Sequence, residues 1–224
     1  MPQLDMFNPD TDSDSNSNSN AKSNSNMFAS LDELIGALTR MDNDPLAHAG
    51  TNVVISRGNP NAKLLIVGEA PGPEENIRGK PFVGRAGQML DKILESANFN
   101  PEQDVYITNS VFRMPPGEDG KPFRKPTDAE VEYYRPFVFE FIRLIDPRVI
   151  LLTGNVACQS VIKKMGITSL RGKWTQSEGR WIMPIFHPSY LLRNPVRDPG
   201  SPKALMWEDI REVRRKYDEL VANK

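Results

Sequence analysis

The sequence predicts an α/β fold: three layers, αβα, around a central, mostly parallel four-stranded sheet. Two observations predict it. Four short runs rich in Val, Ile and Leu, at 63–68, 105–108, 149–152 and 181–186, read as buried strands. Between them lie stretches with apolar residues at helical spacing, and strands alternating with helices make a parallel sheet covered on both faces.

The elements follow in order. Ser30-Leu31-Asp32-Glu33 is a capping-box pattern, and Leu31, Leu34, Ile35 and Leu38 continue it at helical spacing, which predicts a helix over about 31–40. Lys63 to Gly68 is the first strand. Ala86 to Ala97 is helical through Met89, Leu90, Ile93 and Leu94. Val105 to Thr108 is the second strand, ending at Asn109, and a loop rich in Pro and Gly covers 115–126. Thr127-Asp128-Ala129-Glu130 is a second capping box, opening a helix to about Ile145; Pro136 inside it predicts a kink or a later start. Val149 to Leu152 is the third strand, with Gly154-Asn155 leading into a helix through Val161. Trp181 to Phe186 is the fourth. Ser201-Pro202, a cap followed by proline at the first helical position, starts a final helix to about Val221.

Composition divides the chain. Of its 224 residues, 1–26 include a Ser/Asn/Asp run with almost no apolar side chains, which cannot bury enough surface to offset the entropy of ordering. A disordered tail over 1–26 and one domain over 27–224 are expected. The chain's net charge of −1 and the tail's −3 leave +2 for the domain, so contacts with a polyanion must come from local clusters of charge. A single cysteine, Cys158, excludes an internal disulfide and an all-cysteine metal site. No stretch approaches the ~20 apolar residues of a membrane span, and no secretion signal is evident. A cytoplasmic monomer that does not enter membranes is expected.

In open parallel sheets, ligands bind at the carboxyl ends of the strands, where the chain order reverses. Those ends carry Gly68-Glu69-Ala70-Pro71-Gly72, Asn109, Gly154-Asn155 and His187-Pro188-Ser189. Each motif has an ordinary reading as a turn or helix entry. In order, however, GEAPG, GKPFVGRAG (79–87), an Asn closing a strand before PPG, and HPSYLLR (187–193) resemble the family 4 uracil-DNA glycosylases, over roughly 31–220.

The resemblance implies hydrolysis of the N-glycosidic bond of uracil in DNA, leaving an abasic site, with uracil-containing DNA as partner and a location on the nucleoid. Uracil in a duplex is out of reach, so its nucleotide must be flipped into a pocket. Phe82 would be the platform on which the base stacks, beside Gly68 and Ala70, and Asn109 the amide that reads uracil O4 and N3–H. His187 would donate to uracil O2 and stabilise negative charge as the bond breaks. Glu69 or Glu75 would support the cationic sugar and its attacking water, Glu69 being preferred because it leaves the strand end directly. Ser189, Leu191, Leu192 and Arg193 would contact DNA, the leucines wedging into the gap left by the base or lying as a lid over the core.

One departure stands out. The family carries four cysteines holding a [4Fe–4S] cluster, and the corresponding positions here are Met41, Asp44, Arg113 and Tyr134. Such clusters need thiolates, so no cofactor and no metal are expected. An Arg113–Asp44 ion pair with Tyr134 beside it is the expected replacement. In the tail, Gln3-Leu4-Asp5-Met6-Phe7 resembles the motif that docks bacterial repair proteins on the sliding clamp, with Gln3, Leu4, Met6 and Phe7 as contacts. Two other functions stay open: a non-catalytic binder of uracil-containing DNA, and a glycosylase for another damaged base.

Overall fold

A computed structural model describes residues 27–222. The clamp-like motif at Gln3, Leu4, Met6 and Phe7 lies outside the described residues. Six strands form one sheet in the order β1-β3-β2-β4-β6-β5. Its centre is the expected four strands, β2 (Leu64–Gly68), β3 (Val105–Asn109), β4 (Val149–Thr153) and β6 (Arg180–Ile185), all parallel. The expectation of four strands is corrected by two antiparallel edges, β1 (Ser56–Gly58) on β3 and β5 (Thr175–Ser177) on β6. Each is three residues long and largely polar, so neither carries an apolar alternation that a sequence could reveal.

The two faces of the sheet separate the core. Leu65, Val67, Tyr106, Ile150, Leu152 and Ile182 point to a layer containing α1 (Leu31–Thr39), α4 (Asp128–Ile145) and α5 (Asn155–Ile162). Their neighbours Leu64, Ile66, Val105, Ile107, Val149, Leu151 and Met183 point the other way, against α3 (Arg85–Ser96) and α8 (Pro202–Ala222). Successive side chains of a strand face opposite sides, so continuous apolar runs are the signature of strands buried on both faces. Three short helices complete the fold: α2 (Pro73–Arg78), α6 (Ile167–Leu170) and α7 (Pro188–Arg193).

The Thr127 capping box forms in full, and the Ser30 box forms in part. Ser30 Oγ accepts from Glu33 N–H while Glu33 accepts from Ala29 N–H. Thr127 and Glu130 exchange both reciprocal bonds, so α4 starts where the box puts it. The helix continues through Pro136. Residues 132 and 136 both lie on its exposed side, where the carbonyl deprived of its donor can bond water.

The Arg113–Asp44 pair also forms, with Nε donating to Asp44 Oδ2 at 2.8 Å. The side chains are 13% and 2% exposed. Tyr134 donates its hydroxyl to Asp44 Oδ1 at 2.6 Å, and Leu46 N–H donates to the same oxygen at 2.8 Å. The remaining guanidinium nitrogens reach the carbonyls of Thr51 and Met41. Burial and the adjacent carboxylate push the Tyr134 phenol far above its ordinary pKa, so it remains a donor. One closed network thus ties residues 41–51, the segment after β3 and α4 together. Among the described residues, no helix is long and apolar enough to cross a membrane.

Candidate active site

In the parallel centre of the sheet the chain starts at β2, adds β3 on one side, then returns to add β4 on the other. The crevice at the carboxyl end of β2 is therefore the switch point of the fold. Gly68 closes that strand, and a Cβ there would lie 2.3 Å from Asn109 Oδ1 and 2.5 Å from Phe82 Cε2. Only glycine lets the amide and the aromatic ring converge on one spot. Gly154, at the end of β4, has a φ of 89°, and an added Cβ would press on His187 Cβ at 3.2 Å. The Phe82 and His187 rings stand 6.0 Å apart, tilted by 31°. Gly68, Phe82, Asn109 and His187 are thereby brought together from β2, the loop before α3, β3 and the end of β6.

The polar groups of this site are only partly engaged. The sealed and unpartnered side-chain atoms of the described residues are Thr51 Oγ1, Ser160 Oγ and Arg180 Nε. The Asn109 amide also has no hydrogen-bond partner among the described residues and is not one of these sealed atoms, although the residue is only 2% exposed. His187 is the N-cap of α7, and its Nδ1 accepts from Ser189 N–H at 3.2 Å. A backbone N–H can only donate, which places the proton of the neutral ring on Nε2. Burial, then the Arg193 charge, lower the His187 pKa to about 4, so the ring is neutral at physiological pH. Ser189 is thus first a support for His187, its Oγ lying 2.8 Å from Nδ1.

The two carboxylates differ. Burial raises the Glu69 pKa, and the charges of Lys125 and Arg193 oppose that rise. Lys125 and Arg193 also act on His187. Glu75, the second candidate carboxylate, is engaged by backbone amides, and its charge also acts on His187. Its Oε1 accepts from Val83 N–H at 2.9 Å and Gly84 N–H at 2.8 Å, and its Oε2 accepts from Gly72 N–H at 3.2 Å. That carboxylate secures the loop carrying Phe82. Asn76 holds Asn52 through two hydrogen bonds, a tether rather than a reactive group.

Phe82 is buried with a φ of 54°. A bulky residue in the left-handed region costs about 1–3 kcal/mol and persists only where its surroundings over-determine it. Leu191 requires correction as a DNA wedge: it is 1% exposed and packed with Phe82, Phe186 and Met206 in the core. It anchors α7, leaving the half-buried Leu192 and exposed Arg193 to face outward. Ala70 packs its methyl against the opposite core layer, so any contact it makes with a ligand is through its backbone. Two residues escaped sequence reasoning, Lys125 and Arg57. Lys125 sits in the Pro/Gly-rich loop, far in sequence from the groups it influences. Arg57 lies on an edge strand that has no apolar pattern.

The switch point of this three-layer fold joins an aromatic ring, an amide and a neutral imidazole donor, with the part-buried Glu69 leaving the same strand end. Residues 55–211 match the uracil DNA glycosylase superfamily. The chain belongs to that superfamily. It is 38% identical over 175 residues to a type-4 uracil-DNA glycosylase of Thermotoga maritima, covering 76% of this chain and 85% of the relative. It is 34% identical over 176 residues to the type-4 enzyme of Archaeoglobus fulgidus, covering 74% and 85%. A type-5 uracil-DNA glycosylase of Pyrobaculum aerophilum is 28% identical over 176 residues, covering 71% and 72%.

Proposed function

We infer that this protein is a monofunctional DNA-repair glycosylase that hydrolyses the N-glycosidic bond of uracil in DNA. The observation that carries the reading is the convergence of the Asn109 amide and a neutral His187 on the Phe82 ring. A flipped uracil would stack on Phe82. Asn109 would donate to O4 and accept from N3–H, whereas cytosine offers an amino group and a bare nitrogen at those positions. As the C1′–N1 bond breaks, its electron pair passes into the uracil ring, and His187 Nε2–H stabilises the charge on O2. A positioned donor of this kind contributes about 10²–10³ in rate. Glu69, in its carboxylate form, would favour the cationic C1′ and accept a proton from the water that adds there; the charges of Lys125 and Arg193 favour that form against the effect of burial. Arg193, Leu192 and Ser189 would face the DNA strand.

We further propose that the enzyme works without an iron–sulfur cluster. At the four positions the family uses for ligands stand a thioether, a carboxylate already bonded to three partners, a guanidinium and a phenol. These donors do not fit iron. Cys158 is buried in α5 among the core residues, with its thiol pushed up to about 12 by burial. Docking of the tail on a sliding clamp, action as a monomer, and work at the nucleoid of the cytoplasm belong to the same proposal.

The test is cleavage of a labelled oligonucleotide containing one uracil, followed by hot alkali. Wild type is run beside Glu69→Gln and His187→Ala, with iron analysis of each preparation. Strand breaks at uracil that fall by orders of magnitude in both variants, from iron-free protein, are expected. Binding without breaks in the wild type would refute the catalytic reading.

A further inference from the structure

We propose that Arg57, on the edge strand β1, is a positioning residue for the reaction, holding the Phe82 peptide in the geometry that presents its ring to the base. The inference rests on reading Phe82 as the base platform. Arg57 is well removed from solvent, its side chain 7% exposed. Its Nε donates to the Pro81 carbonyl at 3.1 Å, and one terminal nitrogen approaches the Phe82 carbonyl at 3.5 Å. The same guanidinium is fixed by Asp91 of α3 and by Glu102, the latter at 2.7 Å.

The other side of the Phe82 peptide is held just as firmly. Val83 and Gly84 donate their amides to Glu75. A cation therefore grips the carbonyls at and before Phe82, and an anion grips the amides after it. Between them the residue keeps its positive φ. Gly87 brings the first turn of α3 so close that an added Cβ would stand 1.8 Å from the Phe82 oxygen. The loop is thus seated on the helix that carries Asp91.

Arg57 also measures a distance. In the sheet it pairs with Ile107, two residues before Asn109 on the same strand. One residue thus links the strand bearing the base-reading amide to the loop bearing the stacking ring. A planar guanidinium can hold two carbonyls and two carboxylates at once, which the compact ammonium of lysine cannot. Arg57→Lys keeps the buried charge while loosening the grip on the loop.

The experiment is single-turnover kinetics on a uracil oligonucleotide with Arg57→Ala, Arg57→Lys, Phe82→Ala and the double variant Arg57→Ala/Phe82→Ala. Affinity for abasic-site DNA and thermal denaturation are measured in parallel. Misplacement of a reacting group by about 1 Å costs of order 10²-fold, so Arg57→Ala is expected to lose about 10- to 100-fold in the rate of chemistry and Arg57→Lys less. Affinity for abasic DNA, which presents no base to the ring, stays within about twofold, and in the Phe82→Ala background loss of Arg57 costs less than about twofold more. Effects of Arg57 that multiply with those of Phe82→Ala would overturn the proposal, as would an unchanged rate in folded Arg57→Ala. An unchanged rate in Phe82→Ala would instead overturn the platform reading on which it rests.

Discussion

Removing the Asp44 carboxylate should destabilise the fold more than any other single polar change in the N-terminal part of the domain. In Asp44→Ala the Arg113 guanidinium stays in a site where the pair is 13% and 2% exposed, and Tyr134 loses the acceptor of a 2.6 Å bond. Breaking a buried ion pair by deleting one partner costs about 3–5 kcal/mol, because the other charge remains without its counter-ion. The orphaned phenol adds about 1–3 kcal/mol, its desolvation no longer compensated. The carbonyls of Thr51 and Met41 still accept from Arg113 and relieve part of the penalty. A net loss of about 4 kcal/mol follows, equivalent to about 10 °C in Tm for a domain of this size. Urea denaturation of wild type, Asp44→Ala, Arg113→Met and the double variant measures it. The double variant should be more stable than the sum of the single losses implies, since neither charge is then left buried alone. A loss below about 1 kcal/mol, or simple additivity, would show that the network does not hold these segments together.

Three further outcomes follow from the site. The folded His187 pKa lies near 4, below its ordinary value of 6.5, so His187 contributes stability that is fully present above pH 6.5 and lost as pH falls towards 4. The amount is about 3 kcal/mol, and urea titrations of wild type and His187→Gln at pH 7 and pH 4 should show an acid loss larger in the wild type by about that amount, since carboxylates such as Glu130 and Glu212 lose stability in both. An activity step near pH 6.5 that disappears in His187→Gln would contradict the neutral-donor assignment. Leu191→Ala, which empties a core position, should cost about 2–5 kcal/mol. Leu192→Ala should leave stability nearly unchanged but slow cleavage of duplex more than of single-stranded substrate; the reverse order would restore Leu191 as the wedge.

Much of this was readable along the chain. The apolar runs that became β2, β3, β4 and β6, and the Ser30 and Thr127 caps, are encoded by spacings of a few residues. Local steric and hydrogen-bonding preferences translate such spacings directly into structure. The Arg113–Asp44 pair was legible for a different reason: opposite charges stand at two positions that would have faced one common centre. The three backbone amides that Glu75 meets were not legible, because an acid beside a ligand-bearing loop looks the same in sequence whatever it bonds. Leu191 misled because an apolar residue in a polar loop reads equally as a wedge or an anchor.

By itself, then, the sequence determined the layered α/β class, the four central strands, the groups gathered at their carboxyl ends, and the lack of thiolates for a cluster. Tertiary structure alone decided which acid remains free, which leucine turns inward, which nitrogen of His187 carries the proton, and that Arg57 reaches across from an edge strand to the Phe82 loop. The physical reason is range. Periodicity and capping act between residues a turn or two apart, whereas the destination of a long polar side chain depends on which backbone groups the completed fold leaves within its reach.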